Sequence, residues 1–185
     1  MNFPVLTLLA LLPALGVLLI LVVGSRLARQ VALGTSLLTL LVALLVAVGF
    51  SPGGGLQFVE QARWIRPLGV YYALGLDGIG LTLVLLVVIV TPVVVLASWR
   101  DFDRPSIKME DPDSLPPKYG PRVFFALVLA VQTCALFLFL ATDVFLFYVF
   151  FEVILIPMYF LICGFGPGPR PVSYTHLTLP TILLV

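Results

Sequence analysis

Long runs of hydrophobic residues, separated by short polar stretches, dominate this chain. The five runs lie at about 3–24, 31–50, 74–98, 123–141 and 144–163. A helix that crosses a bilayer needs roughly 20 predominantly apolar residues, so each run has the length of a membrane span. The pattern therefore predicts an all-α, polytopic transmembrane bundle of five helices. The lipid bilayer is then an expected partner of the chain.

The composition supports a membrane protein and argues against a nucleic-acid-binding or metal-binding protein. Hydrophobic residues make up 61% of the 185 residues and charged residues 10%, and the mean hydropathy is +1.18. A net charge of +1 gives no reason to expect nucleic acid as a partner. The two cysteines, Cys134 and Cys163, lie inside apolar runs and form no cluster, so we expect buried thiols and no metal site. The first run has no basic residue ahead of it, which favours a retained helix over a signal peptide.

The basic residues are distributed unequally between the two sides of the predicted bundle. Two of them, Arg63 and Arg66, lie in the connection between the second and third spans. The other eight lie on the opposite side: Arg26, Arg29, Arg100, Arg104, Lys108, Lys118, Arg122 and Arg170. The positive-inside rule then predicts that the eight face the cytoplasm and that the N-terminus lies outside.

The two longest connections have different compositions. Residues 51–72 mix aromatic and charged side chains after a Gly/Pro turn, which is typical of an interfacial loop at the headgroup boundary on the outer side. Residues 100–121 are rich in charge and proline, and we interpret them as a solvated cytoplasmic connector.

The fifth run contains the strongest candidate for chemistry, a single carboxylate at Glu152. An ionisable group at bilayer depth costs about 2.5–3.5 kcal/mol on insertion scales, so it usually marks a polar pathway or a partner charge. At about 100° per residue, Tyr148 and Tyr159 lie within about 40° of Glu152, and we expect this face to look into a bundle. Pro157 weakens the backbone hydrogen bonding beside it. The alternative is a protonated Glu152 that only locks helices together.

Two further acids begin predicted helices. Asp77 and Asp143 are placed to accept hydrogen bonds from free backbone N–H groups, so helix capping is the simplest role for each, with direct participation in transport as the alternative. Asp143 lies about 180° around the helix from Glu152, so the two cannot form one carboxylate pair. Gln132 and Thr133, in the middle of the fourth run, could hydrogen-bond to a neighbouring helix.

The C-terminal stretch does not continue this pattern. VSYTHLTLPT, from Val172, resembles the translation of a transposon-end adapter used in sequencing libraries. We therefore divide the chain into a transmembrane region, 1–171, and an artefactual tail, 172–185, and assign no role to His176.

Two blocks resemble a known family. LGLDGIGLTLVLLVVIVTPVVVLASW at 74–99 and FLATDVFLFYVFFEVILIPMYFLICGFG at 139–166 are similar to chain M of bacterial NADH-quinone oxidoreductase, the counterpart of mitochondrial subunit 4. The second block is the more specific, because an acid, an aromatic run, Phe-Glu and Ile-Pro-Met-Tyr follow in order. The resemblance implies five spans of a longer antiporter-like subunit in a bacterial cell membrane.

The resemblance also implies a function. Glu152 would be the membrane-embedded glutamate of a proton-translocating subunit, paired in the family with a lysine on a later helix that this chain does not reach. The fragment alone is then expected to be inactive. The subunit would carry out no redox chemistry and would hold no cofactor. Its partners would be the other membrane subunits of the complex, and flavin, iron-sulfur clusters and quinone would lie in other subunits. Alternatives are a Na⁺/H⁺ antiporter, a hydrogenase-linked subunit of the same superfamily, or a purely structural membrane subunit.

Overall fold

The described part of the chain contains the five long α-helices that the hydrophobic pattern predicts. A computed structural model describes residues 4–25, 27–51, 53–65, 70–100, 102 and 120–165. The helices are α1 (Val5–Val23), α2 (Ala28–Val48), α3 (Gly78–Ala97), α4 (Pro121–Leu140) and α5 (Val144–Phe165). All five are long and apolar enough to cross a membrane, and the chain is a multi-pass membrane protein.

The fourth helix is the centre of the bundle. It packs against each of the other four helices, whereas α5 packs mainly against α4. As a result, α4 is the most buried helix and α5 the most exposed, with only Leu146, Pro157 and Gly164 of α5 fully buried. The burial of a helix here follows from its number of neighbours, because all five helices are similarly apolar.

A β-hairpin replaces the predicted loop between α2 and α3. Strands β1 (Gln57–Ile65) and β2 (Val70–Leu76) pair antiparallel, so the interpretation of 51–72 as a loop is wrong for these residues. The third helix accordingly begins at Gly78, whereas the hydrophobic pattern predicts that this span begins at 74. Leu74 and Leu76 of β2 are fully buried, and such apolar strand residues cannot be told from the start of an apolar helix by hydropathy.

Two apolar clusters fill the interior. The hairpin-end cluster consists of Leu6, Leu9, Ala10, Ala43, Val46, Leu74, Leu76, Val84, Val88, Leu136, Phe137, Leu140 and Leu146. The opposite-end cluster consists of Ile20, Ala28, Ala32, Val95, Phe125, Ala126 and Leu129. Helices α1 to α4 contribute to both clusters, so the bundle has one apolar layer near each end.

Several sequence-based predictions fall outside the described residues. They concern the basic residues Arg26, Arg66, Arg104, Lys108, Lys118 and Arg170, and the tail at 172–185 with His176. The structure describes the other four basic residues, Arg29, Arg63, Arg100 and Arg122.

Candidate functional site

Glu152 lies well inside α5, more than two turns after the helix begins at Val144. Its side chain is half-buried. Among the described residues, no hydrogen bond or ion pair joins Glu152 to another group. Burying a carboxylate at this depth in a membrane helix costs free energy unless it has a partner. The groups around Glu152 therefore decide what it can do.

The packing of α5 on α4 sets the direction of Glu152. Phe150 stacks on Phe137 of α4 with ring centroids 4.4 Å apart and planes at 11°. Glu152 follows Phe150 by two residues, which is about 200° around the helix, so it lies about 160° from the side that contacts α4. The carboxylate therefore faces away from the helix on which α5 rests.

The two tyrosines predicted to share this face are also uncovered. Tyr148 is 58% exposed and Tyr159 48% exposed. Among the described helices this face is uncovered, since α1 to α4 lie on the other side of α5, and the expectation that it looks into a bundle stays a prediction. The physical reason for the exposure is that Phe137 and Phe150 fix the rotation of α5, and a sequence pattern does not contain that contact.

Asp143 caps the N-terminus of α5. One carboxylate oxygen accepts hydrogen bonds from the backbone N–H groups of Phe145 (2.9 Å) and Leu146 (3.3 Å). The other oxygen accepts one from Tyr71 of the hairpin at 3.3 Å. Desolvation raises the pKa of the Asp143 carboxyl, but these three hydrogen bonds outweigh it, and the net pKa is lowered from its usual value. The cap therefore remains ionised at neutral pH.

Asp77 caps α3 in the same way. Its Oδ1 accepts a hydrogen bond from the backbone N–H of Gly80 at 2.7 Å, and its own backbone is extended, as an N-cap residue requires. Asp77 is exposed and lies at the end of its helix, so the structure gives it a capping geometry. No described contact connects it to Glu152.

A third acid, which sequence analysis missed, caps α1 from a distance. Glu60 of β1 accepts hydrogen bonds from the backbone N–H groups of Leu6 (2.6 Å) and Thr7 (3.0 Å) and from the Thr7 hydroxyl. The Thr7 hydroxyl also lies 2.9 Å from the hydroxyl of Tyr72. A cap supplied from more than 50 residues away has no local sequence signal.

Tyr72 remains protonated in this arrangement. Burial raises its pKa, the hydrogen bond with Thr7 lowers it in part, and the negative charge of Glu60 raises it further. The hairpin is therefore attached to α1 by the carboxylate group of Glu60 and the phenol of Tyr72.

Three acids cap helices at one end of the bundle and Arg122 caps a helix at the other. The three acid-capped N-termini of α1, α3 and α5 all lie at the hairpin end. At the other end, Arg122 of α4 donates to the backbone carbonyls of Ile20 (3.2 Å) and Leu21, at the C-terminus of α1. Each sign of charge is placed where it complements the helix dipole.

The remaining polar candidates do not join the site. Thr133 donates to the carbonyl of Leu129 in its own helix at 2.9 Å, so its predicted bond to a neighbouring helix is wrong. Gln132 is 1% exposed, and neither polar atom of its side chain has a hydrogen-bond partner among the described residues. Cys134 and Cys163 are both free thiols.

Comparisons with known proteins identify relatives of this chain. NADH-quinone oxidoreductase subunit M of Mycobacterium tuberculosis is 40% identical over 90% of the chain, which spans 34% of that subunit. F(420)H(2) dehydrogenase subunit M of Methanosarcina mazei is 33% identical over 80% of the chain and 28% of its own length. NAD(P)H-quinone oxidoreductase chain 4 of a Synechococcus strain is 31% identical over 97% of the chain and 31% of its own length.

The fold has a relative among solved structures. A chain of respiratory complex I from Thermus thermophilus matches 96% of this chain with a TM-score of 0.75 and 26% identity, over 33% of its own length. No protein-family model matches the chain. The chain thus spans about a third of the length of the relatives it matches.

Proposed function

We propose that this chain, a homologue of NADH-quinone oxidoreductase subunit M, is part of a membrane subunit that translocates protons, and that Glu152 carries the proton. The observation that supports the role of Glu152 is its position: a carboxylate deep in a spanning helix, turned away from α4 and without a described partner. Structural carboxylates in this chain look different, because Glu60, Asp77 and Asp143 all accept backbone N–H bonds.

The exposed face of α5 has the chemistry of a buried polar interface. Facing lipid, a carboxylate and two phenols would be poorly solvated. We propose that further helices of a longer subunit cover Tyr148, Glu152 and Tyr159 and supply a basic residue. The chain's own lysines, Lys108 and Lys118, come between α3 and α4 in the sequence, and the structure does not describe them. The 185 residues alone are therefore not expected to translocate protons.

Proton transfer at Glu152 would follow from two opposing effects. Low-dielectric surroundings disfavour a charged carboxylate, whereas an approaching cation favours it. Movement of that cation would make Glu152 bind and release a proton in turn. In this proposal the energy comes from electron transfer in other subunits, which would hold the flavin, iron-sulfur clusters and quinone.

The packing around the start of α5 would keep the carboxylate in place. The Asp143 cap, the stack of Phe137 on Phe150, and an edge contact between Trp64 and Phe145 at 6.0 Å hold the first turns of α5 to the hairpin and α4. Precise positioning matters because proton transfer requires donor and acceptor within hydrogen-bond reach.

The distribution of basic residues along the sequence supports an orientation. We propose a bacterial cell membrane with the N-terminus and the hairpin outside, because the eight basic residues that the sequence pattern assigns to the opposite side would then face the cytoplasm.

A second candidate function differs in the electron donor or the coupled ion. The relative from Methanosarcina mazei is named as a subunit of an F(420)H(2) dehydrogenase, so this part of the sequence recurs in a complex with another donor. A Na⁺/H⁺ antiporter or a hydrogenase-linked subunit would use the same carboxylate. Proton uptake measured with and without Na⁺ separates the antiporter from the other two.

The test is a pair of matched glutamate variants in the full-length subunit, within the assembled complex. Glu152→Gln keeps the shape of the side chain but removes its titrating proton, and Glu60→Gln makes the same change at a cap. We expect Glu152→Gln to abolish NADH-driven proton uptake with normal assembly, Glu152→Asp to retain part of it, and Glu60→Gln to pump normally. Near-normal pumping by Glu152→Gln would refute the proposal, whereas loss of assembly would favour the helix-locking role.

A further inference from the structure

All the fully buried polar side chains of the described residues lie on three helices: Ser36 and Thr39 on α2, Thr91 on α3 and Gln132 on α4. None of them is charged. Burying polar groups within an apolar bundle is unfavourable unless they are hydrogen-bonded, so a group of four is an unusual feature of so hydrophobic a chain.

The four side chains lie at a common depth. Gly16 of α1 marks the level, because a Cβ there would come 2.7 Å from Thr35 Oγ1 and 2.9 Å from Leu129. At about 1.5 Å per residue, Ser36, Thr39 and Gln132 lie within about 6 Å of that level, all toward the hairpin end. Thr91 lies between Val88 of the hairpin-end cluster and Val95 of the opposite-end cluster. The four residues thus form a polar layer between the two apolar clusters.

The hydroxyls of this polar layer are satisfied but the amide is not. Ser36, Thr39 and Thr91 donate to carbonyls of their own helices at 2.8 to 3.0 Å, and their oxygens can still accept. Gln132 has both a donor and an acceptor that no described residue meets. A buried amide without hydrogen bonds is unfavourable, so a hydrogen-bonding ligand is expected beside it.

Two buried prolines add acceptors beside the polar layer. Pro13 and Pro92 have no N–H, so the carbonyls of Leu9 and Val88 lack their usual donor four residues on. These two carbonyls belong to the hairpin-end cluster and border the layer, whereas within the layer the Gln132 amide is the described side chain without a partner.

Water fits this set of groups better than a cation does. A cation would bind the carbonyl oxygen of Gln132 but leave its NH₂ unmet, and no acid lies among the buried side chains. A water molecule both donates and accepts, and buried waters typically make two to four hydrogen bonds. We propose that Gln132 binds an occluded water in the polar layer.

This water site would be closed and separate from Glu152. The two apolar clusters lie on either side of it along the bundle axis, so the described residues offer it no polar continuation to either end. Gln132 also lies about 140° around α4 from Phe137, which contacts α5. The water would serve packing between α4 and its neighbours, with no part in proton transfer.

A high-resolution cryo-electron microscopy map of the assembled complex tests the proposal. We expect a solvent peak within hydrogen-bond distance of both the amide nitrogen and the carbonyl oxygen of Gln132. A side-chain or backbone group bonded directly to both atoms, or a map without a peak at this site, would overturn it.

A variant separates this site from the proposed function. Gln132→Met keeps the length of the side chain and removes both polar atoms, with Gln61→Met on the exposed hairpin as the control. We expect Gln132→Met to lose the solvent peak and to keep proton pumping unchanged. Lost pumping in an assembled Gln132→Met complex would contradict a closed site, whereas failure of Glu152→Gln to alter pumping would leave this proposal intact.

Discussion

Glu60, Asp77 and Asp143 each accept backbone N–H hydrogen bonds at a helix N-terminus, whereas Glu152 lies inside a helix where every such donor is used. The same functional group therefore has two roles, set by its position along a helix. The caps neutralise orphan donors, and Glu152 retains its whole hydrogen-bonding capacity for groups outside the described residues.

Replacement of Asp143 should show its capping role. Asp143→Asn keeps an acceptor and should be mild, whereas Asp143→Ala removes the acceptor and should lower the local stability of the first turn of α5. Because the folded pKa of Asp143 is lowered, its contribution is present above the unfolded pKa and lost as pH falls through the folded value. The protection factors of the amide hydrogens of Phe145 and Leu146, which correct for the pH dependence of intrinsic exchange, should therefore fall below about pH 4 in the wild type. An equally strong acid response in Asp143→Asn would contradict this account.

The Glu60 contact makes a separate prediction. Glu60→Ala should free the first N–H groups of α1 and loosen the hairpin, at a cost of about 0.5–2 kcal/mol. Faster amide exchange at Leu6 and Thr7, with α3 unchanged as the internal reference, would confirm it. Unchanged exchange at Leu6 and Thr7 would show that the long-range cap is not formed in the assembled protein.

At the scale of elements, the helices could be predicted but the hairpin could not. Apolar length alone identifies a membrane helix, so all five appear in the sequence. Strand β1 reads QFVEQARWI, which lacks strict alternation, and β2 is apolar because Ala73, Leu74 and Leu76 pack against the bundle. The direction of Glu152 could not be predicted either, since the stack of Phe137 on Phe150 determines it.

Two helical glycines provide a matched test of element packing. A Cβ at Gly16 would meet Thr35 and Leu129 below 3 Å, whereas a Cβ at Gly34 would meet nothing within 4 Å. Gly16→Ala should therefore destabilise the bundle by about 1–3 kcal/mol. Gly34→Ala should stabilise it by up to about 1 kcal/mol, since alanine favours a helix. Thermal unfolding of the purified complex that ranks the two variants in the opposite order would refute the close approach of α1 to α2.

At the scale of the whole molecule, the bundle has an acid-capped end with a hairpin and a basic end where Arg122 caps α1. This polarity agrees with the unequal distribution of basic residues along the sequence. It links the local chemistry of helix ends to the orientation of the entire chain in the membrane.

Two serines outside the helices test that orientation. Ser51 lies at the hairpin end and Ser25 at the other end, and both are exposed. In a background without Cys134 and Cys163, we expect Ser51→Cys to react with a membrane-impermeant thiol reagent added to intact cells, and Ser25→Cys to react only after lysis. The reverse result would show that the bundle has the opposite orientation in the membrane.

In the proposed function, Glu152 gains and loses a proton during turnover. Infrared difference spectroscopy of the full-length subunit in its complex, triggered by NADH, measures this directly through the carbonyl stretch of a protonated carboxylic acid. We predict a band that responds to NADH, that is absent in Glu152→Gln and that persists in Glu60→Gln. An identical carboxylic acid band in Glu152→Gln and in the wild type would contradict the claim.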